Sequence, residues 1–288
     1  MEKTKIMLDS TCDIPAEWIE KLDAEIIPLH VLWEETQETE DDNRDYDDLE
    51  HFWFLLDTEE ILPKTSQPTP VEFKEKYQRL FDEGYSRIVV LTLSTKMSGT
   101  YNSALLASKD YEGKIAVINS RMASSAIAVI GYRVRELLDT GRDIKTVKEI
   151  IEKEREAGKF GAFFYVSNFD FLRKGGRVSK FSSFVGSMLN LRVALFIDKN
   201  GDMVPFGKSR GSKRAQKFVI KKLKETFKPG SKIRLAMVHS NNIDECRSLE
   251  SKLKESYEVV ESVITPMGKV ISSHVGPGTA GLGIQLME

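Results

Sequence analysis

The 288-residue sequence predicts two α/β domains, the first on a mainly parallel sheet with helices on both faces, the second on a mixed sheet with helices. Three observations carry this prediction. Short apolar runs alternate with amphipathic helical segments along most of the chain, the pattern of sheet layered with helices. The texture changes after Lys199, where a hairpin signal appears. The length suits one large domain or two ordinary ones.

The elements follow in order. KIMLDS (5–10), EIIPLHVLW (25–33), RIVVLTLS (87–94), KIAVINS (114–120), GAFFYVS (161–167), KIRLAMVHS (232–240) and EVVESVIT (258–265) are the clear strands. Segments 126–141 and 244–257 carry apolar residues at i, i+3 and i+4 and read as helices. Thr69-Pro70-Val71-Glu72 marks a helix start: an N-cap hydroxyl, a proline at the first helical position and a glutamate three residues after the cap. Asn200-Gly201, between LRVALFI and MVPFGK, marks a hairpin and some antiparallel pairing. The domains are expected at 1–165 and 166–288, with the strand at 161–167 able to join either half. Polar residues recur at carboxyl ends of strands (Asp9-Ser10, Ser94-Thr95, Asn119-Ser120, Ser167-Asn168, His239-Ser240), the edge where open parallel sheets bind ligands. Turn and cap chemistry accounts for most such residues.

With 41% hydrophobic and 30% charged residues, the composition is that of a soluble globular protein. No apolar run reaches the roughly 18 residues of a membrane span, and the polar start lacks the apolar core of a secretory signal. A cytoplasmic location is the expectation. Cys12 and Cys246 are too few for a disulfide framework, and His30, His51, His239 and His274 show no metal-ligand spacing. The net charge of −2 conceals an asymmetry: 34–60 holds thirteen acids and one base, 173–224 fourteen bases and two acids. The basic stretch is either a solvated face or a docking surface for an acidic or phosphorylated partner. Nucleic acid is excluded as the partner, because no run of aromatics interleaves the bases and the chain is slightly acidic overall.

Several motifs fail on inspection. Gly276, Gly278 and Gly281 spell G-x-G-x-x-G, but no second strand or ribose-binding acid follows, and Pro277 removes an amide from the arc. The stretch 201–209, GDMVPFGKS, has one residue too many for a phosphate-binding loop. Gly207-Lys208-Ser209-Arg210-Gly211 spells G-x-S-x-G, with Asp244 and His274 in hydrolase order. A hairpin precedes it, however, where a nucleophile elbow needs a buried parallel strand. Two hydroxyl clusters at helix starts, 64–69 and 94–100, make candidate anion sites. Neither carries an arginine, which suits a singly charged carboxylate held by neutral donors.

DSTCDIP (9–15), KTSQPTP (64–70), LSTKMSGTYNSA (93–104), FLRKGGRVSK (171–180) and SHVGPGTAGLG (273–283) together resemble the DegV family of bacterial fatty-acid-binding proteins. The resemblance runs from residue 5 to about 284 with the motifs in family order. It implies one long-chain fatty acid between two α/β domains, no catalysis by the chain itself, and no cofactor beyond that lipid. It also implies a partner, the catalytic subunit of a fatty acid kinase, to which the lipid is presented for acyl-phosphate formation. The carboxylate clamp it implies is Thr65, Ser94 and His274. Thr95 is the alternative, because the family has Ser-Ser where this chain has Ser94-Thr95. Arg177 and Arg210 are the implied kinase-docking residues. The segments 161–172 and 182–197, dense in Phe, Leu and Met, are the candidate acyl tunnel. Two alternatives stay open: a serine esterase using Ser209 or a Ser94/His274 pair, and a basic adaptor that binds only protein.

Overall fold

Alternation within the strands decides which helices cover which face. The computed structural model describes residues 3–33, 37–41, 45–177 and 191–287. In β1 (Thr4–Asp9), Ile6 and Leu8 face one way and Met7 the other, as a period of two demands. After α1 (Ala16–Leu22) come β2 (Ala24–Ile27), β3 (His30–Trp33) and β4 (Gln37–Glu40). The run 25–33, expected as one strand, is therefore two. Pro28 falls between them and cannot donate to a ladder. Then follow α2 (Tyr46–Thr58), β5 (Lys64–Ser66), α3 (Pro70–Asp82), β6 (Arg87–Thr92), α4 (Thr100–Ser108) and β7 (Ile115–Asn119). α3 starts with the expected capping box at Thr69 and Glu72.

The first sheet has the order β2-β1-β6-β7, all parallel. On one face Met7, Ile88 and Val90 pack against Phe73 and Tyr77 of α3 and Ala104 of α4. The other face packs against α1, α5 (Ser125–Asp139) and α6 (Ile144–Glu156). Helices cover both faces, as the sequence predicts.

The second sheet contains β8 (Phe160–Val166), β9 (Arg192–Ile197), β10 (Met203–Ser209), β11 (Lys232–His239), β12 (Glu258–Pro266) and β13 (Ala280–Leu286). Its order is β10-β9-β8-β13-β11-β12, antiparallel except for the β11–β12 pair. Asn200-Gly201 lies in the β9–β10 hairpin as expected, Gly201 at φ +87°. β8 pairs with β13 and β9, so the whole strand belongs to this sheet, and a division at 165/166 falls inside it. α8 (Ser212–Thr226) and α9 (Ile243–Lys254) cover the outer face, around Phe163, Tyr165 and Leu235.

The inner face, with Ala162, Val193, Leu195, Ala236 and Val238, packs on α5. α5 is thus a layer shared by both sheets. This explains why its start, from Ser125 through Tyr132, is buried without interruption.

A third, antiparallel sheet, β4-β3-β5, packs with α2 against Phe171 of α7 (Asp170–Gly175) and Val270 of α10 (Lys269–Val275). Polar contacts tie this lobe to α10. Trp53 Nε1 donates to Ser272 Oγ at 2.8 Å, and Lys269 pairs with Asp48 at 2.7 Å. No helix among the described residues is long and apolar enough to cross a membrane.

Candidate functional site

The site forms where β5 meets α10. Val31–Thr65 pairing places Thr65 opposite the middle of β3. His274 occupies the last turn of α10, which stops at Gly276 with φ +74°. A Cβ at Gly276 would stand 2.4 Å from the Phe171 ring, so only glycine fits this stop. The following turn is pinned carbonyl by carbonyl. Ser240 Oγ donates to Gly276 O at 2.7 Å, Ser167 Oγ donates to Pro277 O, and Asn242 Nδ2 donates to Gly278 O at 2.9 Å. Two of the polar strand-end groups, Ser167 and Ser240, thus hold the His274 turn, which fixes the imidazole in space.

Thr65 Oγ1 and His274 Nε2 meet at 2.9 Å, 209 residues apart in sequence. Burial, reinforced by the positive charge of Arg177, pushes the imidazole down to about 4, so His274 is neutral at pH 7. Its Nδ1 is buried and has no hydrogen-bond partner among the described residues. The tautomer protonated at Nε2 donates to Thr65 Oγ1 and leaves the threonine hydrogen available to an acceptor.

The pair lies on the wall of a cavity of about 460 Å³. Leu93 and Met97 reach it from the first domain, Phe163, Phe164 and Leu282 from the second sheet, Ile197 and Met203 from the hairpin, and Val270 and Ile271 from α10. Apolar walls with a few polar groups are the chemistry of a small-molecule site. The segment 161–172 contributes to this wall as expected. Ile197 does too, but 182–190 of the second candidate tunnel segment lies outside the described residues.

The other expected residues fall elsewhere. Ser94 is fully buried but is not part of the cavity wall. Its Oγ donates to Gly201 O at 2.9 Å and accepts from Lys96 N, anchoring the β9–β10 hairpin to the end of β6. Thr95 is exposed and accepts from Asn119 Nδ2. Arg177, expected at a docking surface, lines the cavity beside His274 and donates to Gly175 O at 2.6 Å. Arg210 is exposed just before α8. Ser209 ends an antiparallel edge strand, and its hydroxyl donates to Gly211 O at 3.3 Å. Asp244 is almost fully solvated, at 95% side-chain exposure. Neither serine expected as a nucleophile is hydrogen-bonded to His274.

Ser66, Gln67 and Ser98 also line the cavity; all three stand inside the quoted motifs and the hydroxyl clusters 64–69 and 94–100 expected as anion sites, though none was given an individual role. Gln67 packs its amide so close to Gly99 that a Cβ there would lie 2.2 Å from Oε1. Motif membership marked these positions; only the fold shows which hydroxyls turn inward.

The family model described as "Uncharacterised protein, DegV family" matches residues 3–286. A Thermotoga maritima protein named fatty acid-binding protein is 46% identical over 286 residues, covering 99% of both chains. A solved T. maritima structure, described as revealing fatty acid binding function, superposes with a TM-score of 0.92 at 42% identity, covering 100% of both chains. A DegV family protein from Thermus thermophilus, solved to show fatty acid binding, gives a TM-score of 0.88 at 28% identity, covering 99% of this chain and 100% of that one.

Proposed function

The chain belongs to the DegV family, and on that premise we propose that it binds one long-chain fatty acid in the cavity between its two large sheets. The carboxylate sits against Thr65 and His274, and the acyl chain runs along the apolar wall. One observation carries this reading: an apolar cavity whose wall holds a half-buried, neutral hydroxyl–imidazole pair. A carboxylate only accepts hydrogen bonds, and the pair offers it the Thr65 O–H, oriented by the His274 Nε2–H, with the Arg177 charge alongside. Burying fourteen methylenes at about 0.8 kcal/mol each gives roughly 10 kcal/mol before ordering costs. That favours lipid retention through purification.

The chain has no catalytic role in this reading. It presents the lipid to a partner kinase, whose phosphoryl transfer to the carboxylate requires the head group to be reachable. The exposed cations of the 173–224 stretch, Arg210 among them, form the docking face.

Mass spectrometry of denatured, freshly purified protein tests the central claim. A saturated or unsaturated long-chain acid in near-equimolar amount is the expected result. Finding none, together with no uptake of added palmitate or oleate, would refute it.

A further inference from the structure

The cavity has a second polar feature, remote from the Thr65–His274 pair. Ser124 and Ser125, at the start of α5, both line it. Ser124 spends its hydroxyl on Asp13 Oδ2. Ser125 is 1% exposed, and its Oγ has no hydrogen-bond partner among the described residues. No side chain caps α5, a 15-residue helix whose first-turn N–H groups point out of its N-terminus. β13 is pressed so closely behind this turn that a Cβ at Gly283 would lie 2.4 Å from Ala126 Cα. The open side of Ser125 is the cavity.

The fold also fixes where along a ligand this point falls. Asp13, which accepts from Ser124, also accepts from Gly268 N at the N-terminal end of α10. His274 lies at the opposite end of α10, six residues on, or about 9 Å along the axis. Ser125 therefore lies toward the Gly268 end of α10, away from His274, so an acyl chain whose carboxylate sits at His274 meets it beyond the head group. A methylene there leaves the hydroxyl unsatisfied, whereas a hydroxyl substituent can both accept from it and donate to it.

We infer that Ser125, with the first turn of α5, is a recognition point for an oxygen substituent on the acyl chain, and that the cavity takes hydroxylated long-chain fatty acids. This rests on the fatty-acid reading given above. It adds a ligand class and a residue that selects for it.

Calorimetric titration of the delipidated full chain with stearic acid and a positional series of monohydroxystearic acids tests the inference. At least one isomer hydroxylated beyond the head group is expected to bind as tightly as stearic acid or more so. Ser125→Ala should weaken that isomer about tenfold and stearic acid less than twofold, while Ser125→Thr keeps the isomer preference. A uniform loss across all acids, or no change for any, would overturn the inference and leave the fatty-acid reading standing. Failure of the wild-type chain to bind stearic acid at all would overturn both.

Discussion

His274 and Thr65 act as a unit: the neutral imidazole donates from Nε2 to Thr65 Oγ1 and so turns the hydroxyl hydrogen toward the ligand. Thr65→Val keeps the side-chain shape and removes the donor. It should weaken fatty-acid binding about tenfold in a fluorescence displacement titration, and His274→Ala should do at least as much. Ser94→Ala separates two roles. A head-group ligand would lose affinity as Thr65 does. The hydrogen bond to Gly201 instead predicts a stability loss of about 1 kcal/mol, with affinity changed less than threefold. The pH dependence follows from burial. His274 and His239 are both pushed down to about 4, mainly by desolvation, from an unfolded value near 6.5. The unfolded chain therefore binds more protons between these values, and stability falls as pH drops from about 6.5 through 4. Asp9, raised to about 6 chiefly by burial, works in the opposite direction, losing its contribution as pH rises through 6. Asp57, also raised by burial, acts with Asp9, while the lowered carboxyls of Glu72, Glu245, Glu250 and Glu261 act with the histidines and leave a net loss toward acid. The thermal midpoint of His274→Gln should drop less steeply over this range than that of the wild type.

α5 is the element on which both sheets depend. One face packs on Leu8 and Leu22 at Gly131, and its start packs on β13 at Gly283. Alanine at 283 would drive a methyl into the backbone of Ala126 and separate helix from strand. Gly283→Ala should therefore cost about 1–3 kcal/mol and lower Tm by several degrees, read by circular dichroism. The sequence marked this helix clearly through its apolar periodicity. It could not show that the helix is shared, because burial on every side reads the same for one core as for two. The β9–β10 hairpin presents the same contrast. Asn200-Gly201 identified the turn, and only the fold shows its tip held by Ser94 while Ile197 and Met203 wall the cavity.

At the scale of the whole molecule, one apolar cluster runs from Ile6 and Leu91 of the first sheet through α5 to Leu195 and Val238 of the second. Such a core should unfold in one step. Trp18, Trp33 and Trp53 all lie in the N-terminal half, so tryptophan fluorescence reports that half while far-ultraviolet dichroism reports the entire chain. Coincident denaturant transitions by the two probes are the expected result; separated ones would show two independent domains. The basic stretch belongs to this scale too. Arg210→Ala should reduce phosphorylation of the bound lipid by a partner kinase and leave lipid affinity unchanged.

The sequence by itself determined the layered α/β class, the parallel and mixed sheets, the capping box at Thr69 and the hairpin at Asn200-Gly201, all set by residues near one another in the chain. Its motifs also marked the two loops that meet at the site, 64–70 and 273–283. Only the tertiary structure decided which hydroxyls of those motifs face a ligand. A strand or helix start offers several donors with the same local chemistry, and burial, turn geometry and competing carbonyls choose among them. Ser94 was claimed by Gly201 O, Ser240 by Gly276 O and Ser167 by Pro277 O, while Thr65 was left facing His274 across 209 residues. A pairing at that separation depends on how the lobe of β3–β5 packs on α10, a matter of side-chain fit that no local pattern encodes.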